Sequence, residues 1–187
     1  MPVAPRFLIG DRVYLRPLAA ADVEGGYPAW LNDADVCAGN SHHVFPYSRE
    51  AALEYIRQAG RAQDELVLAV ALCEGDMHIG NIALQKIHPI NRCADLSILI
   101  GEKSAWGQGY GLEACRLLCN HAFSELNLYR IACATFDNNA AMMKLAAALG
   151  MREEGRRRQA AFKAGRYVDV IEFGMLKSEY EQTGPGK

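Results

Sequence analysis

The chain has 187 residues, half of them apolar, and a formal net charge of −2. That suits one domain with a substantial core and gives no electrostatic case for nucleic acid or an anionic membrane. No apolar run approaches the roughly 20 residues needed to span a bilayer, and no leader-peptide pattern opens the chain.

The six cysteines include no Cys-x-x-Cys pair. Cys73, Cys115, Cys119 and Cys133 lie in apolar stretches, as small core residues do, while Cys37 and Cys93 have less telling surroundings. We therefore expect neither a disulfide framework nor a metal site, and a cytoplasmic location.

In chain order, Arg12-Val-Tyr-Leu-Arg16 alternates like a first strand, ended by Pro17. A helix follows Ala20 to Gly25, with Tyr27, Trp30 and Leu31 on its apolar side. Residues 32–48 are polar and irregular and carry the aromatics Phe45 and Tyr47, as a binding loop would. Ser48 then caps a helix carrying Leu53, Ile56 and Arg57. Leu66–Leu72 and His78–Leu84 read as strands around the turn signal Glu74-Gly-Asp76.

Asp95 to Gly101 reads as a central strand with Leu96, Ile98 and Ile100 on one face and Ser97 and Leu99 on the other. After it come Gly107-Gln-Gly-Tyr-Gly111 and an amphipathic helix with Leu112, Cys115, Cys119, Ala122 and Leu126 at helical spacing. Tyr129–Phe136 is a strand, Asp137-Asn-Asn139 a turn and cap, and Ala140–Leu149 a helix stopped by Gly150. Arg152–Phe162 and Tyr167–Leu176 form a final hairpin, and Gly184–Lys187 a frayed tail. The order is β-α-α-β-β-β-α-β-α-β-β. It implies an α/β (α+β) fold with a mixed sheet and helices on both faces, in one domain over residues 1–187 with a core of about 10–178 and a tail from 179.

The glycine stretch carries the chemistry. Glycines at a helix start leave backbone N–H groups uncovered, with the helix dipole behind them, and so form a site for a phosphate or diphosphate. Gly107, Gly109 and Leu112 fit the dinucleotide pattern Gly-x-Gly-x-x-Gly except at its third position, and Asp137 stands about where a ribose-binding acid belongs. A dinucleotide oxidoreductase is disfavoured by Leu112, by the long connection before the glycines and by the single strand–helix–strand unit.

Trp106-Gly-Gln-Gly-Tyr-Gly-Leu-Glu-Ala114 resembles the acetyl-CoA loop of the GCN5-related N-acetyltransferases (GNAT superfamily). Trp106 stands at that pattern's Arg/Gln position, as in the branch of ribosomal-protein N-terminal and spermidine acetyltransferases. Asn127-Leu-Tyr-Arg-Ile131, Asn139, Leu149-Gly-Met151, Glu154-Gly155 and Gly165-Arg-Tyr-Val-Asp169 are similar to that branch in order and spacing.

The resemblance implies a single GNAT-like domain with a mostly antiparallel, six- to seven-stranded sheet. It also implies acetyl transfer from acetyl-CoA to a primary amine by direct attack. Gly107, Gln108, Gly109, Tyr110, Gly111 and Leu112 would hold the diphosphate. Leu99 and Ile100, on a strand that splays from its neighbour, would hold the pantetheine arm with Asn139. Asp95, fourteen residues before Gly109, is the candidate base through water.

The family's usual proton donors are missing, since a tyrosine is expected at Ala147 and a serine at Met142; Tyr167 is the alternative. This gap raises a second reading, a silent acetyl-CoA-binding module. The acceptor side is expected at Trp30, His42, His43, Phe45 and Tyr47, with Asn32 beside them. The acceptor would be a small-molecule or peptide amine, such as an amino sugar nucleotide or a protein N-terminus; without an acidic channel a polyamine is disfavoured. Dimerisation is common in the family. Glu113 reads as an acid suited to a first helical turn, and Arg156-Arg-Arg158 as a solvated strand face.

Overall fold

A computed structural model describes residues 5–183; the expected frayed tail at Gly184–Lys187 lies outside them. One sheet holds eight strands: β1 (Leu8–Ile9), β2 (Val13–Pro17), β3 (Leu66–Leu72), β4 (His78–His88), β5 (Cys93–Ile100), β6 (Arg130–Phe136), β7 (Arg152–Lys163) and β8 (Arg166–Leu176). Their spatial order is β1-β2-β3-β4-β5-β6-β8-β7. Among the described residues only β5 and β6 run parallel; the other neighbours are antiparallel.

The eighth strand beyond the expected six or seven is β1. It is only two residues long and pairs with β2 through Leu8–Leu15 and Ile9–Tyr14, too short to show a period.

Helices cover both faces, as expected. On one face α3 (Tyr110–Ser124) and α4 (Ala140–Ala148) close the main core over Leu15, Leu68, Leu84, Leu96, Ile131 and Ile171. On the other, α1 (Tyr27–Leu31) and α2 (Arg49–Ala59) bring Tyr27, Trp30, Leu31 and Ala52 together with Val36 and Cys37. The sheet meets this second core with small residues: Ala69, Ala71 and Ala83 are buried there, which lets the aromatic rings lie close. The 3₁₀ turn Ala20–Glu24 precedes α1 as a separate element, because Gly25 and Gly26 interrupt the run, and Gly26 has no space for a Cβ beneath the Trp30 indole.

The stretch after Leu176 continues as α5 (Lys177–Thr183). Tyr180 packs its ring 5.1 Å from Phe123 and donates its hydroxyl to the Arg116 carbonyl at 3.2 Å. Among the described residues no helix is long and apolar enough to cross a membrane.

The feature that positions the site is a divergence. β5 and β6 pair only through Cys93–Arg130, Ala94–Ile131 and Asp95–Ala132. Beyond that, β5 runs on to Ile100 held only by β4, and β6 runs to Phe136 held only by β8. Each strand therefore turns one edge of unpaired backbone N–H and C=O groups toward the gap.

Candidate functional site

The glycine loop stands over that gap. Gly107 and Gly109 have φ values of 72° and 82°, which favour glycine strongly, and Gly109 is the N-cap of α3. Among the described residues no acceptor meets the N–H groups of residues 107–112, so they fan outward at the positive end of a fifteen-residue helix. Gly111 fits where α3, α4 and β5 converge; a Cβ there would meet Leu145 Cδ1 at 3.5 Å and Ile100 Cγ1 at 3.6 Å.

Side chains pin the loop so that its amides stay free. Gln108 Nε2 donates to the Ser104 carbonyl at 2.6 Å, and Trp106 Nε1 to the Ile100 carbonyl at 2.8 Å.

Two pinning residues were not singled out from the sequence in this role. Glu113 reaches across to β2, accepting from the backbone N–H of Arg12 (2.8 Å) and Val13 (3.2 Å) and from Arg12 Nε (3.0 Å). Burial by itself would raise the Glu113 carboxyl, but these donors together hold it below the usual range. Arg12 in turn donates Nη1 to the Gln108 carbonyl at 2.9 Å and lays its guanidinium 5.0 Å from the centre of the Tyr110 ring. Neither role has a local signature, because the partners lie about a hundred residues apart.

The expected site residues divide into groups. Leu99 and Ile100 lie on the free edge of β5, with Leu99 packed toward the second core. Asn139 sits at the mouth of the gap. Its Oδ1 caps α4 by accepting from Met142 N at 3.1 Å, while Nδ2 donates to the Gly39 carbonyl at 3.1 Å. Asn139→Ala should lower stability by about 1–2 kcal/mol in thermal unfolding. Asn139→Asp keeps the cap but loses the tie to Gly39, so it should retain most of that stability while loosening residues 39–43 in hydrogen exchange.

Asp95 lies at the closed apex of the divergence, on the same sheet face as Ser97 and Leu99. Its carboxylate is engaged by Lys86 Nζ at 2.8 Å.

The segment after α1 is laced to the site from several sides. Asn32 accepts from Tyr47 N (2.8 Å) and donates to Tyr47 O (2.7 Å), closing a loop over 33–46. Lys103 holds Asp33 and Asp35 at 2.8 Å each, and Lys163 donates to the His42 carbonyl at 2.6 Å. The last of these contacts ties His42 to the tip of the β7–β8 hairpin. Phe45 is 83% exposed, and Tyr47 packs 6.2 Å from the Tyr27 ring. His42 is exposed, and partial desolvation of its ring, followed by the Lys163 charge, holds it below its ordinary value.

Two expectations need correction. Trp30 is not a wall open to an acceptor: it is 7% exposed and locked against Gly101, where it leaves no room for a Cβ, with His78 edge-on at 4.9 Å. Its aromatic surface is spent on core packing. Tyr167 does not reach the divergence. It is 66% exposed at the hairpin tip, ring to ring with Phe162 at 5.1 Å, three residues beyond Val170, the last position of β8 paired with β6. Three strand residues span about 10 Å.

Met142 and Ala147 offer no hydroxyl. Thr135, 6% exposed on the diverging part of β6, does, and its hydroxyl has no partner among the described residues. Nothing in the local sequence sets Thr135 apart from any other β-branched strand residue.

Cys133, also on β6, is poorly suited to be an acyl carrier. Burial pushes its thiol up to about 12, and it faces Met151 Sδ at 3.6 Å. A dinucleotide site fits poorly as well, since the sheet has a single parallel pair and Leu112 fills the third glycine position.

The sequence pattern of the Acetyltransferase (GNAT) domain matches residues 12–152. An uncharacterised N-acetyltransferase of Bacillus licheniformis, p20, is 32% identical over 112 residues, 60% of this chain and 62% of its own. Spermidine N(1)-acetyltransferase of Escherichia coli K12 is 27% identical over 120 residues, 63% of each. The chain thus spans about three fifths of the length of these curated relatives.

Among solved structures, spermidine N-acetyltransferase from Vibrio cholerae, in complex with CoA and spermine, superimposes with a TM-score of 0.82 at 24% identity, over 90% of this chain and 98% of that one. A GNAT-family acetyltransferase from Bacillus anthracis gives 0.80 at 20% identity, over 92% and 99%. These two likenesses concern the fold. The matched pattern, together with the diverging β5–β6 edges and the amide fan, shows that the chain belongs to the GNAT acetyltransferase domain family.

Proposed function

We propose that this chain moves an acetyl group from acetyl-CoA to a primary amine by direct attack in a ternary complex. The observation that carries the reading is the conjunction of the unpaired β5 edge with the free N–H fan at 107–112. The residues fit the carrier: the fan suits a diphosphate, and the strand edges suit the amide-bearing pantetheine arm. Gly107 to Leu112 bind the one, and Leu99, Ile100 and Asn139 the other. Backbone N–H groups of the β5 edge stabilise charge that develops on the thioester oxygen.

Asp95, already on the acceptor face, receives the amine proton through water. The leaving thiol, with no hydroxyl at 142 or 147, takes its proton from solvent, directly or relayed through the Thr135 hydroxyl, which gives up one proton as it receives another from water. Tyr167 belongs with the acceptor lip. The high value of the Cys133 thiol supports direct attack over an acyl-cysteine route.

On the acceptor face Asp95 and Glu172 share one side of the sheet, offset by two residues along β6 (opposite Ala132 and Ala134), and both are neutralised, by Lys86 at 2.8 Å and Arg157 at 2.8 Å. A charge-balanced face favours an amine that is not a polycation, such as an amino sugar nucleotide or a peptide N-terminus. The polyamine is the second reading, favoured by the spermidine acetyltransferases among the relatives. Thiol release from acetyl-CoA across amino sugars, their nucleotide forms, peptides and polyamines tests both readings. Release with none of these classes would overturn the proposal. His42→Ala with His43→Ala should raise the acceptor KM about tenfold and leave the acetyl-CoA KM unchanged. Unchanged kinetics for every acceptor would remove the 42–47 segment from recognition.

A further inference from the structure

Arg12, already seen to pin the glycine loop, makes three contacts around it. Its Nε is held by Glu113 (3.0 Å), its Nη1 grips the Gln108 carbonyl (2.9 Å) and its guanidinium lies over Tyr110. The backbone N–H groups of Arg12 and Val13 fix the same Glu113 carboxylate, so the guanidinium is held from two sides.

The peptide between Gln108 and Gly109 is planar and trans, so its C=O and its N–H point in opposite directions. A cation fixed on the Gln108 oxygen therefore turns the Gly109 N–H toward the opposite side. At 82°, Gly109 sits in a backbone region where glycine has little preference between neighbouring orientations, so an external anchor is needed to choose one. Arg12 also cancels the Glu113 carboxylate, which would otherwise repel an anion one turn into α3.

We infer that Arg12 is a positioning residue for the diphosphate of the acyl-CoA: it aims and polarises the Gly109 N–H by gripping the opposite end of the same peptide. The inference rests on the acetyl-CoA reading above and deepens it. It separates the nucleotide-side grip from the pantetheine side, because among the described residues no hydrogen bond or ion pair links the Arg12 side chain to the β5 edge.

The test compares wild type, Arg12→Ala and Arg12→Lys. The Kd for CoA is measured by calorimetry, and the Ki of pantetheine, which lacks the diphosphate, by displacement of a fluorescent CoA. Arg12→Ala should raise the CoA Kd about tenfold, the loss expected for one charge-assisted hydrogen bond. It should leave the pantetheine Ki within about twofold. Arg12→Lys, which keeps the charge and can reach the Gln108 oxygen, should recover part of the loss.

A merely structural role would weaken CoA and pantetheine together and lower the unfolding temperature in both variants. That pattern, or an unchanged CoA Kd in Arg12→Ala, overturns the inference while leaving the acetyl-CoA reading intact. A wild-type protein that binds no CoA overturns both.

Discussion

Gly109→Val should reduce the affinity for acetyl-CoA about a hundredfold, the loss expected when two or so charge-assisted hydrogen bonds are misaligned. Gly109 has a φ of 82°, where a β-branched residue is strained, and a Cβ there already approaches Arg12 Nη2 at 3.4 Å. Relieving that strain rotates the 108–109 peptide and dislodges the first turn of α3. The fold should survive, because the loop is exposed and the core face of α3 begins at Ala114 and Cys115. The check is thiol release as a function of acetyl-CoA concentration, with unfolding measured alongside. Wild-type kcat/KM in a folded Gly109→Val protein would show that the loop is not the diphosphate site.

The largest effect on stability is expected far from that loop. Arg16, Asp22 and His78 form a buried polar cluster between the sheet and α1. Arg16 Nη2 and Nη1 meet the two Asp22 oxygens at 2.6 and 2.9 Å, and His78 Nδ1 lies 3.4 Å from Oδ1. His78 Nε2 lies 2.9 Å from both the Gly80 carbonyl and Asn81 Oδ1, which fixes the ring. Arg16 Nε is buried without a hydrogen-bond partner among the described residues, and the guanidinium depends on Asp22 for its charge balance.

Asp22→Ala should therefore destabilise by about 3–5 kcal/mol, as removal of one partner of a buried pair does. Double replacement of Arg16 and Asp22 by Met and Leu should be far milder, because no buried charge remains. Burial alone would raise the Asp22 carboxyl, but Arg16, His78 and the Ala19 N–H hold it well below the usual range. With the folded value below the unfolded one, the stabilisation is present above about pH 4. It is lost as pH falls through the folded value. Unfolding free energy measured from pH 7 down to pH 2 should fall more steeply in wild type than in the double variant. Parallel curves would contradict the assignment.

The fold was largely legible because its elements obey local rules. Ser48 caps α2 with its hydroxyl on Ala51 N at 3.1 Å, Asn139 caps α4, and Leu66–Leu72 is buried as its apolar run requires. What escaped depended on partners distant in sequence or on elements too short for a period. The two residues of β1 show no alternation. The helix α5 announces itself only through Tyr180, whose burial against Phe123 is a tertiary event.

At the site, glycines at a helix start identified the loop without any knowledge of the sheet. The divergence of β5 from β6 came from family resemblance, since nothing in Ser97–Ile100 says which neighbour a strand will lack. Arg12, Glu113 and Thr135 were missed as site residues for the same reason: their meaning lies in what the fold places opposite them. Trp30 was misplaced because an aromatic beside a polar loop reads alike whether it faces solvent or a glycine such as Gly101. Tyr167 was misplaced because the length of a hairpin beyond its sheet partner cannot be read from alternation.

The most direct test of the acyl-CoA site is an amide chemical-shift titration of the isotope-labelled chain with acetyl-CoA. The account predicts that the largest changes fall on Gly107, Gly109, Tyr110, Gly111 and Leu112, whose N–H groups have no acceptor among the described residues, together with Ser97–Ile100 on the free edge of β5. Residues of β1 and α5 should not move. Saturable shifts clustered elsewhere, or none at millimolar acetyl-CoA, would contradict it.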